Sequence, residues 1–220
     1  MGGNDDLFGL GGADSLNTGR GRDNLSGGSG NDLLLGGSGA DTLLGGNGQD
    51  TLRGGSSNDS LLGGGGADTL DGAGSNDTLK GGDSGDRLIG GTGNDELSGG
   101  VGGDDLRGSG GRDALSGNAG KDTLSGGGGA DLLNGDGGND DLTGGGGADT
   151  FVYARQGGRD LITDFEDDVG TLLITGLGGR GKVLNAANDV DGNVEFTFGS
   201  KHVLTVANIT VAQLSDDLQV

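Results

Sequence analysis

The chain has 220 residues, among them 59 glycines, no proline and no cysteine, and its formal net charge is −21. This acidity argues against nucleic acid and anionic membranes as partners and favours cations, and the lack of cysteine excludes a disulfide framework. Only 29% of the residues are apolar, so the chain buries too little apolar surface to offset its conformational entropy, and something beyond its own core must help it to fold.

Residues 1–151 form a repeat with a period of nine. An aspartate stands at every ninth position without insertion or deletion, and a large apolar residue follows two positions later, as in Asp32-Leu33-Leu34. A flexible glycine-rich linker needs no fixed period, whereas self-similarity at a fixed period indicates a repeat architecture, and this glycine-rich nonapeptide is itself a recognised repeat type. These seventeen residues, the ladder aspartates, are Asp5, Asp14, Asp23, Asp32, Asp41, Asp50, Asp59, Asp68, Asp77, Asp86, Asp95, Asp104, Asp113, Asp122, Asp131, Asp140 and Asp149.

Each nonapeptide predicts one turn and one short strand. The glycine-rich half can adopt positive φ and turn tightly. In the other half, such as Thr42-Leu43-Leu44, the middle side chain of a strand points inward while Thr42 faces water. Two units therefore close one coil of 18 residues, and successive coils stack as parallel strands about 4.8 Å apart. Seventeen units predict about eight and a half coils.

The phased motif resembles the RTX (repeats-in-toxin) proteins, which include secreted metalloproteases, lipases, toxins and alginate epimerases. The resemblance covers residues 1–151, about two thirds of the chain. It implies an all-β protein, namely a right-handed parallel β-roll over residues 1–151 with a β-rich C-terminal cap over residues 152–220. It also implies that Ca²⁺ binds between successive coils.

The chemistry of the aspartates agrees with a calcium site. Aspartates two units apart, such as Asp32, Asp50 and Asp68, fall in one column, where neighbouring carboxylates repel by roughly 4 kcal/mol at an effective dielectric constant near 20. Calcium accepts carboxylate and carbonyl oxygens together, and the two columns offer gaps for at most 15 ions. The resemblance implies that carbonyls four and two residues before each aspartate join the carboxylates. The glycines concerned are Gly28, Gly30, Gly37, Gly39, Gly46, Gly48, Gly64, Gly66, Gly91, Gly93, Gly100, Gly102, Gly127, Gly129, Gly145 and Gly147.

Other residues break or flank the consensus. Some units carry a larger residue where a glycine is expected, and we expect their turns to bind less well or to be less regular; these residues are Leu10, Ser57, Ser75, Ser84, Asn118 and Asp136. The aspartates directly after the ladder positions, which are Asp6, Asp105 and Asp141, are predicted to point outward into solvent.

The nine-residue count fails from Val152 onward, because Asp160 falls 11 residues after Asp149. Asp160 and Asp164 are each either a metal ligand or a solvated turn residue. The alternation in Val194–Phe198 and His202–Val206 around Gly199-Ser200 predicts a β-hairpin. Residues 208–214 resemble the uncleaved C-terminal ending of substrates of type I secretion systems.

No catalytic constellation is visible, and His202, the single histidine, lies in a strand-like alternation, so we expect the chain not to be an enzyme. The favoured function is a calcium-binding module that assists folding and secretion of a larger exoprotein, whose active part we expect upstream. The alternatives are a calcium-dependent adhesin, a surface-layer component or a polysaccharide-binding module. An ice-binding roll is disfavoured because the outward positions show no regular row of threonine.

The expected location is extracellular. The N-terminus lacks the basic and apolar regions of a cleaved signal peptide, and no apolar run approaches the roughly 20 residues that span a bilayer.

Overall fold

The computed structural model describes residues 2–154, 157–165, 170–175, 187–190, 193–198, 202–207, 209 and 218–219. Within these residues the structure is all β, without any helix. The strands are β1 (Asp6–Gly11), β2 (Ser15–Arg20), β3 (Asn24–Ser29), β4 (Leu33–Ser38), β5 (Thr42–Asn47), β6 (Thr51–Ser56), β7 (Ser60–Gly65), β8 (Thr69–Gly74), β9 (Thr78–Asp83), β10 (Arg87–Thr92), β11 (Glu96–Val101), β12 (Asp105–Gly110), β13 (Ala114–Gly120), β14 (Thr123–Gly128), β15 (Leu132–Asn134), β16 (Gly137–Gly138), β17 (Asp141–Gly146), β18 (Thr150–Ala154), β19 (Arg159–Ile162), β20 (Thr171–Thr175), β21 (Ala187–Val190), β22 (Asn193–Phe198), β23 (His202–Val206) and β24 (Leu218–Gln219).

The strands form two sheets that face each other as a parallel β-roll. The first sheet has the order β1-β3-β5-β7-β9-β11-β13-β15-β18-β20-β24, with β16 also paired to β13, and the second has the order β2-β4-β6-β8-β10-β12-β14-β17-β19-β23-β22-β21. Through the repeats each residue pairs in parallel with the residue 18 positions later, as Leu43 does with Leu61. Two nonapeptides therefore make one coil, and the predicted β-roll is confirmed.

The core of the roll is a stack of single side chains. The apolar residue of each repeat is 0–3% exposed from Leu25 to Phe151. Leu7 and Leu16 remain partly exposed, because the first coil has a neighbour on one side only. Each repeat therefore contributes one large apolar side chain to the core, as the sequence predicts.

The strands are longer than predicted. The pattern predicted three residues, such as 42–44, but β5 runs over six, from Thr42 to Asn47. Its second inward position is Gly45, which is also buried. A Cβ on Gly45 would lie 2.5 Å from the Asp50 Oδ2 atom and 2.6 Å from the Gly63 carbonyl oxygen. The glycine continues the strand because its missing side chain leaves room for the aspartate of the next turn.

The pairing register changes where the nine-residue count fails. Asp141 in β17 pairs with Leu161 in β19, and Thr150 in β18 pairs with Thr171 in β20, so the offset grows from 18 residues to 20 and 21. Both sheets nevertheless continue without interruption into the C-terminal region. The division into domains at residue 151 stays a prediction.

Aromatic side chains contribute to the core of this region. Phe151, Phe165 and Phe196 are buried, and the rings of Phe151 and Phe165 lie 6.0 Å apart between centroids. Strands β22 and β23 pair antiparallel, with Val194 opposite Val206, which confirms the predicted hairpin, although its Gly199-Ser200 turn lies outside the described residues. Except for Ile209, residues 208–214, which carry the proposed secretion ending, also lie outside them. No helix among the described residues is long and apolar enough to cross a membrane.

Candidate metal centre

The ladder aspartates link each coil to the coil before it. The Oδ1 atom of Asp50 accepts a 2.8 Å hydrogen bond from the backbone amide of Asp32, eighteen residues earlier. The same bond recurs for every ladder aspartate from Asp23 to Asp149, at 2.7–2.9 Å. The side chains that the sequence singled out as ligands are thus brought into two continuous columns.

The second carboxylate oxygen of these residues has no hydrogen-bond partner. In sixteen of the seventeen ladder aspartates, from Asp5 to Asp140, the Oδ2 atom is buried and unpaired. From Asp23 to Asp149 the aspartates are only 0–5% exposed. A buried anionic oxygen without a partner is costly, so native proteins pair it with a charge or a metal. The unpaired oxygens therefore indicate a cation in each column.

The pKa values of these groups show the same cost. Burial raises the pKa of Asp59, Asp86 and Asp140 to about 7, although a backbone hydrogen bond lowers it in part and neighbouring aspartates raise it further. Burial likewise raises the pKa to about 6 in Asp68, Asp77, Asp113 and Asp122, and it raises the pKa of Asp41, Asp50, Asp95, Asp104, Asp131 and Asp149. Without a counter-cation, the folded roll resists the full ionisation of its columns.

Backbone carbonyls converge on the carboxylates. At Gly138 a Cβ would overlap the carbonyl oxygen of Gly120 and would lie 2.8 Å from the Oδ1 atom of Asp140. Gly120 stands two residues before Asp122, so its carbonyl meets the carboxylate one coil later. A Cβ on Gly21 would similarly overlap the carbonyl oxygen of Gly3 and lie 2.9 Å from the Asp23 Oδ1 atom. Carbonyl and carboxylate oxygens that approach the same point form a suitable environment for a hard cation.

Carbonyls four residues before an aspartate also point along the stack. A Cβ on Gly46 would overlap the carbonyl oxygen of Gly28, and a Cβ on Gly28 would overlap that of Leu10. Glycine suits these positions because the carbonyl of the preceding coil lies directly against the α-carbon. All sixteen glycines predicted to contribute carbonyls have positive φ, between 95° and 147°. Their assignment as ligands stays a prediction, but the fold gives all of them the same backbone conformation.

The larger residues that replace consensus glycines also have positive φ, although the angle is smaller than at the glycines. Leu10, Ser57, Ser75, Ser84, Asn118 and Asp136 have φ between 63° and 87°. The strand breaks only at Asp136, between β15 and β16, and the other five residues leave the repeat intact. Weaker binding at these units stays a prediction. Ala73 and Ser109 also have positive φ, at 76° and 83°. This pair was not predicted from the sequence, although both residues stand four positions before a ladder aspartate, Asp77 and Asp113 respectively.

Carboxylates alone do not complete a site. Across the described part of the chain, no three His, Cys, Asp or Glu side chains group closely enough to hold a metal ion. A cation between two coils must therefore take carbonyl oxygens in addition to the carboxylates of its column. Because calcium uses six to eight oxygen ligands of both kinds, the residues present fit it.

The aspartates outside the ladder have several roles. Asp6 is exposed, as predicted. Asp105 and Asp141 also face outward, as predicted, with side chains 36% and 43% exposed, and each pairs with an exposed basic side chain at 2.9 Å, Arg107 and Lys121 respectively. Asp164 accepts backbone hydrogen bonds of 2.8 Å from Gly144 and Gly145.

Comparison with known proteins gives the following matches. The family model described as the RTX calcium-binding nonapeptide repeat matches residues 1–34, 8–43, 18–52, 44–79, 80–115 and 116–151. No curated protein sequence matches the chain. Among solved structures, the extracellular lipase LipA from Serratia marcescens is 20% identical with a TM-score of 0.44, and the match covers 83% of this chain and 40% of the lipase. The AlgE6R3 subunit of the Azotobacter vinelandii mannuronan C5-epimerase is 25% identical with a TM-score of 0.36, and the match covers 62% of this chain and 78% of that subunit.

Proposed function

Since the chain belongs to the RTX calcium-binding nonapeptide repeat family, we propose that its roll folds when it binds calcium outside the cell and serves as the C-terminal part of a larger secreted exoprotein. The observation that carries this proposal is the unpaired, buried Oδ2 atom repeated along both aspartate columns.

Calcium would be held by ladder carboxylates together with the carbonyls that approach them, such as the Asp140 carboxylate and the Gly120 carbonyl. When bound, it supplies positive charge and satisfies oxygens that find no donor within the fold. Magnesium fits less well, because it demands a near-octahedral shell and loses its water reluctantly.

Calcium binding and folding are coupled because the sites exist only in the folded state. The ligands of one site lie about eighteen residues apart in sequence and come together only when coils stack. A ligand that binds only the folded state stabilises it by mass action. We expect the roll to be unfolded at cytosolic calcium concentrations and folded at the millimolar concentrations outside cells.

This coupling suits a chain that leaves the cell unfolded. Residues 152–220 would cover the C-terminal end of the roll and carry the secretion signal that the type I secretion machinery reads. The chain itself would be non-catalytic, and any enzymatic or toxic activity would belong to the rest of the exoprotein.

A calcium titration followed by far-ultraviolet circular dichroism tests the proposal. The strand signal is expected to be absent in excess chelator, to appear as calcium reaches the millimolar range, and to stay weak with the same concentration of magnesium. Full strand signal in excess chelator would contradict the coupling of folding to calcium.

A second candidate function is binding of a polysaccharide or a cell surface. A depression of about 370 Å³ on the outer face of the first sheet is lined in part by Lys80, Glu96, Ser116 and Asn134. These groups could bond to hydroxyls, but Ser116 and Asn134 already bond to Asp136, which leaves fewer groups for a ligand. Binding of alginate or another glycan to the calcium-loaded protein, measured by titration calorimetry, would favour this candidate.

A further inference from the structure

The segment after the last nonapeptide contains part of another repeat. Gly158-Arg159-Asp160-Leu161-Ile162 has the order glycine, any residue, aspartate, any residue, apolar residue, which ends every unit that keeps the consensus. It lies two residues out of phase with the ladder and outside the residues that the family model matches.

In the structure this segment occupies the position of a further repeat. Gly158 has a positive φ of 117°, and Ile162 is 1% exposed and lies in register with Leu142. The amide of Arg159 donates a 3.0 Å hydrogen bond to Asn139 Oδ1, as the amide of Gln49 does to Asn31 Oδ1 at 2.9 Å within the roll. The two residues by which the spacing from Asp149 to Asp160 exceeds nine therefore lie before Gly157 in the chain.

Asp160 occupies the next position of an aspartate column. Its Oδ1 atom accepts a 3.1 Å hydrogen bond from the amide of Asp140, which is the bond that joins the ladder aspartates of successive coils. Asp160 is 5% exposed and Asp140 is fully buried. The Oδ2 atom of Asp140 is buried and has no hydrogen-bond partner.

Two backbone carbonyls converge with the Asp160 carboxylate around Gly157. A Cβ on Gly157 would lie 3.0 Å from the Asp136 carbonyl oxygen, 3.1 Å from the Ala154 carbonyl oxygen and 3.2 Å from the Asp160 Oδ2 atom. Asp136 stands four residues before Asp140, which is where the roll places a carbonyl that points along the stack. The carbonyl oxygen of Gly138, two residues before Asp140, lies against the α-carbon of Gly158.

We propose that Asp140 and Asp160 hold one further calcium ion at the junction of the roll and the C-terminal region, with the carbonyls of Asp136, Gly138 and Ala154 nearby. The inference rests on the proposed function, because it assumes that the columns bind calcium. It raises the largest number of ions from 15 to 16 and assigns Asp160 a ligand role. Asp164 is not part of this site, because its two carboxylate oxygens each accept a backbone amide of the roll.

The column ends at this site. The Gly158 carbonyl accepts hydrogen bonds from the amide of Val203 at 2.8 Å and from the Tyr153 hydroxyl at 3.2 Å, so it is not available to a further ion. The apolar Leu204 lies opposite Asp160 on the neighbouring strand. The ion would therefore join the last coil of the roll to a segment that β23 holds in place.

Terbium luminescence reports most strongly on the sites nearest the tyrosine. Terbium binds at calcium sites of oxygen ligands and emits when a nearby tyrosine is excited. The chain has a single tyrosine and no tryptophan, and the hydroxyl of that tyrosine, Tyr153, bonds to Gly158. Asp160→Asn keeps an oxygen for the Asp140 amide but removes the charge, and we expect it to weaken terbium binding near Tyr153 about tenfold.

Asp141→Asn is the matched control, since it removes the same charge beside Asp140 from a side chain that faces outward to Lys121. It is expected to leave the tyrosine-sensitised emission unchanged. Emission from Asp160→Asn that equals the control would overturn the inference.

A second variant covers the case in which Asp160→Asn does not fold. Gly157→Ala keeps every carboxylate but places a methyl group among the three converging oxygens, and it too is expected to lower the emission; unchanged emission from a folded Gly157→Ala protein would overturn the inference. Calcium-induced strand signal is recorded for each protein. Its absence from the unmodified chain would instead contradict the proposed function, so the two failures are distinguishable.

Discussion

The carboxylate of Asp68 serves two coils at once: its Oδ1 atom accepts a 2.8 Å hydrogen bond from the amide of Asp50, while its buried Oδ2 atom has no partner. The first oxygen makes a bond that asparagine can also accept, whereas the second needs a positive charge. A substitution by asparagine can therefore separate the roles of the two oxygens.

Asp68→Asn is expected to raise the calcium concentration at half-folding by about tenfold, because a site loses one of its charged ligands while the bond to Asp50 is kept. Circular dichroism during a calcium titration measures the shift. Asp71→Asn is the control, because Asp71 lies on the surface and pairs at 3.5 Å with the exposed Arg53, where an ion pair contributes little. Equal midpoints for the two variants would show that Asp68 is not a ligand.

Two glycines of one repeat are expected to respond differently to alanine. A Cβ on Gly63 would overlap the Asp68 Oδ2 atom and lie 2.7 Å from the Gly81 carbonyl oxygen, whereas a Cβ on Gly65 would meet only the Asn47 Oδ1 atom, at 3.5 Å. Neither glycine has positive φ. Gly63→Ala should therefore destabilise the calcium-loaded roll by about 1–3 kcal/mol.

Gly65→Ala should be neutral or stabilise by about 0.5 kcal/mol, because it reduces the entropy of the unfolded chain. Urea denaturation at saturating calcium measures the free energy of unfolding for both variants. A Gly63→Ala protein as stable as Gly65→Ala would mean that the inward glycine leaves no space that the aspartate needs.

The same substitution is expected to have opposite effects at two alanines. Ala73 has φ 76°, a conformation that costs a residue with a side chain roughly 1 kcal/mol, so Ala73→Gly should stabilise the roll. Ala119 is exposed and lacks positive φ, so Ala119→Gly should destabilise it by about 0.5–1 kcal/mol. Thermal denaturation in calcium compares the two, and a drop in Tm for both would contradict the strain assigned to Ala73.

Stability without calcium is expected to rise as the pH falls. Burial raises the pKa of Asp59, Asp86 and Asp140 from 3.8 to about 7 in the folded roll, so in this window the folded state binds more protons than the unfolded state. Stabilisation by these groups is complete below their unfolded pKa near 4 and is lost as the pH rises through about 7.

Chelated protein should therefore gain strand signal between pH 8 and pH 5. In the presence of calcium, protons compete for the same oxygens and weaken calcium binding to the folded state, but they also stabilise that state, so the calcium concentration at half-folding should fall or stay constant over that interval. Circular dichroism at fixed chelator and at fixed calcium follows both trends, and a chelated protein that loses strand signal on acidification would contradict the assignment.

The period of the aspartates was sufficient to predict the two columns, the inward leucines and the coil of eighteen residues, because each depends only on spacing. The length of the strands was not predicted, since Gly45 has no side chain to show that it faces inward and makes room for Asp50. The ladder bond was also missed, because nothing in the sequence shows that a carboxylate accepts an amide from the preceding coil.

The role of Asp160 could not be decided from the sequence either. Two additional residues before Asp160 interrupt the nine-residue period of the sequence. In the structure Asp160 nevertheless occupies the next position of the aspartate column. Similarly, Ala73 and Ser109 do not have the glycine that signals positive φ, and the coils on either side determine their backbone conformation.

In every ladder bond the amide of an aspartate donates to the carboxylate of the aspartate in the following coil. This common direction makes the two ends of the roll unequal. A coil lost from the N-terminal side leaves carboxylate oxygens that water can solvate, and every remaining amide keeps its acceptor. A coil lost from the other side leaves aspartate amides without acceptors beside an unfilled aromatic core. We therefore expect rolls of this kind to tolerate changes in length at the N-terminal end and to require a constant C-terminal end.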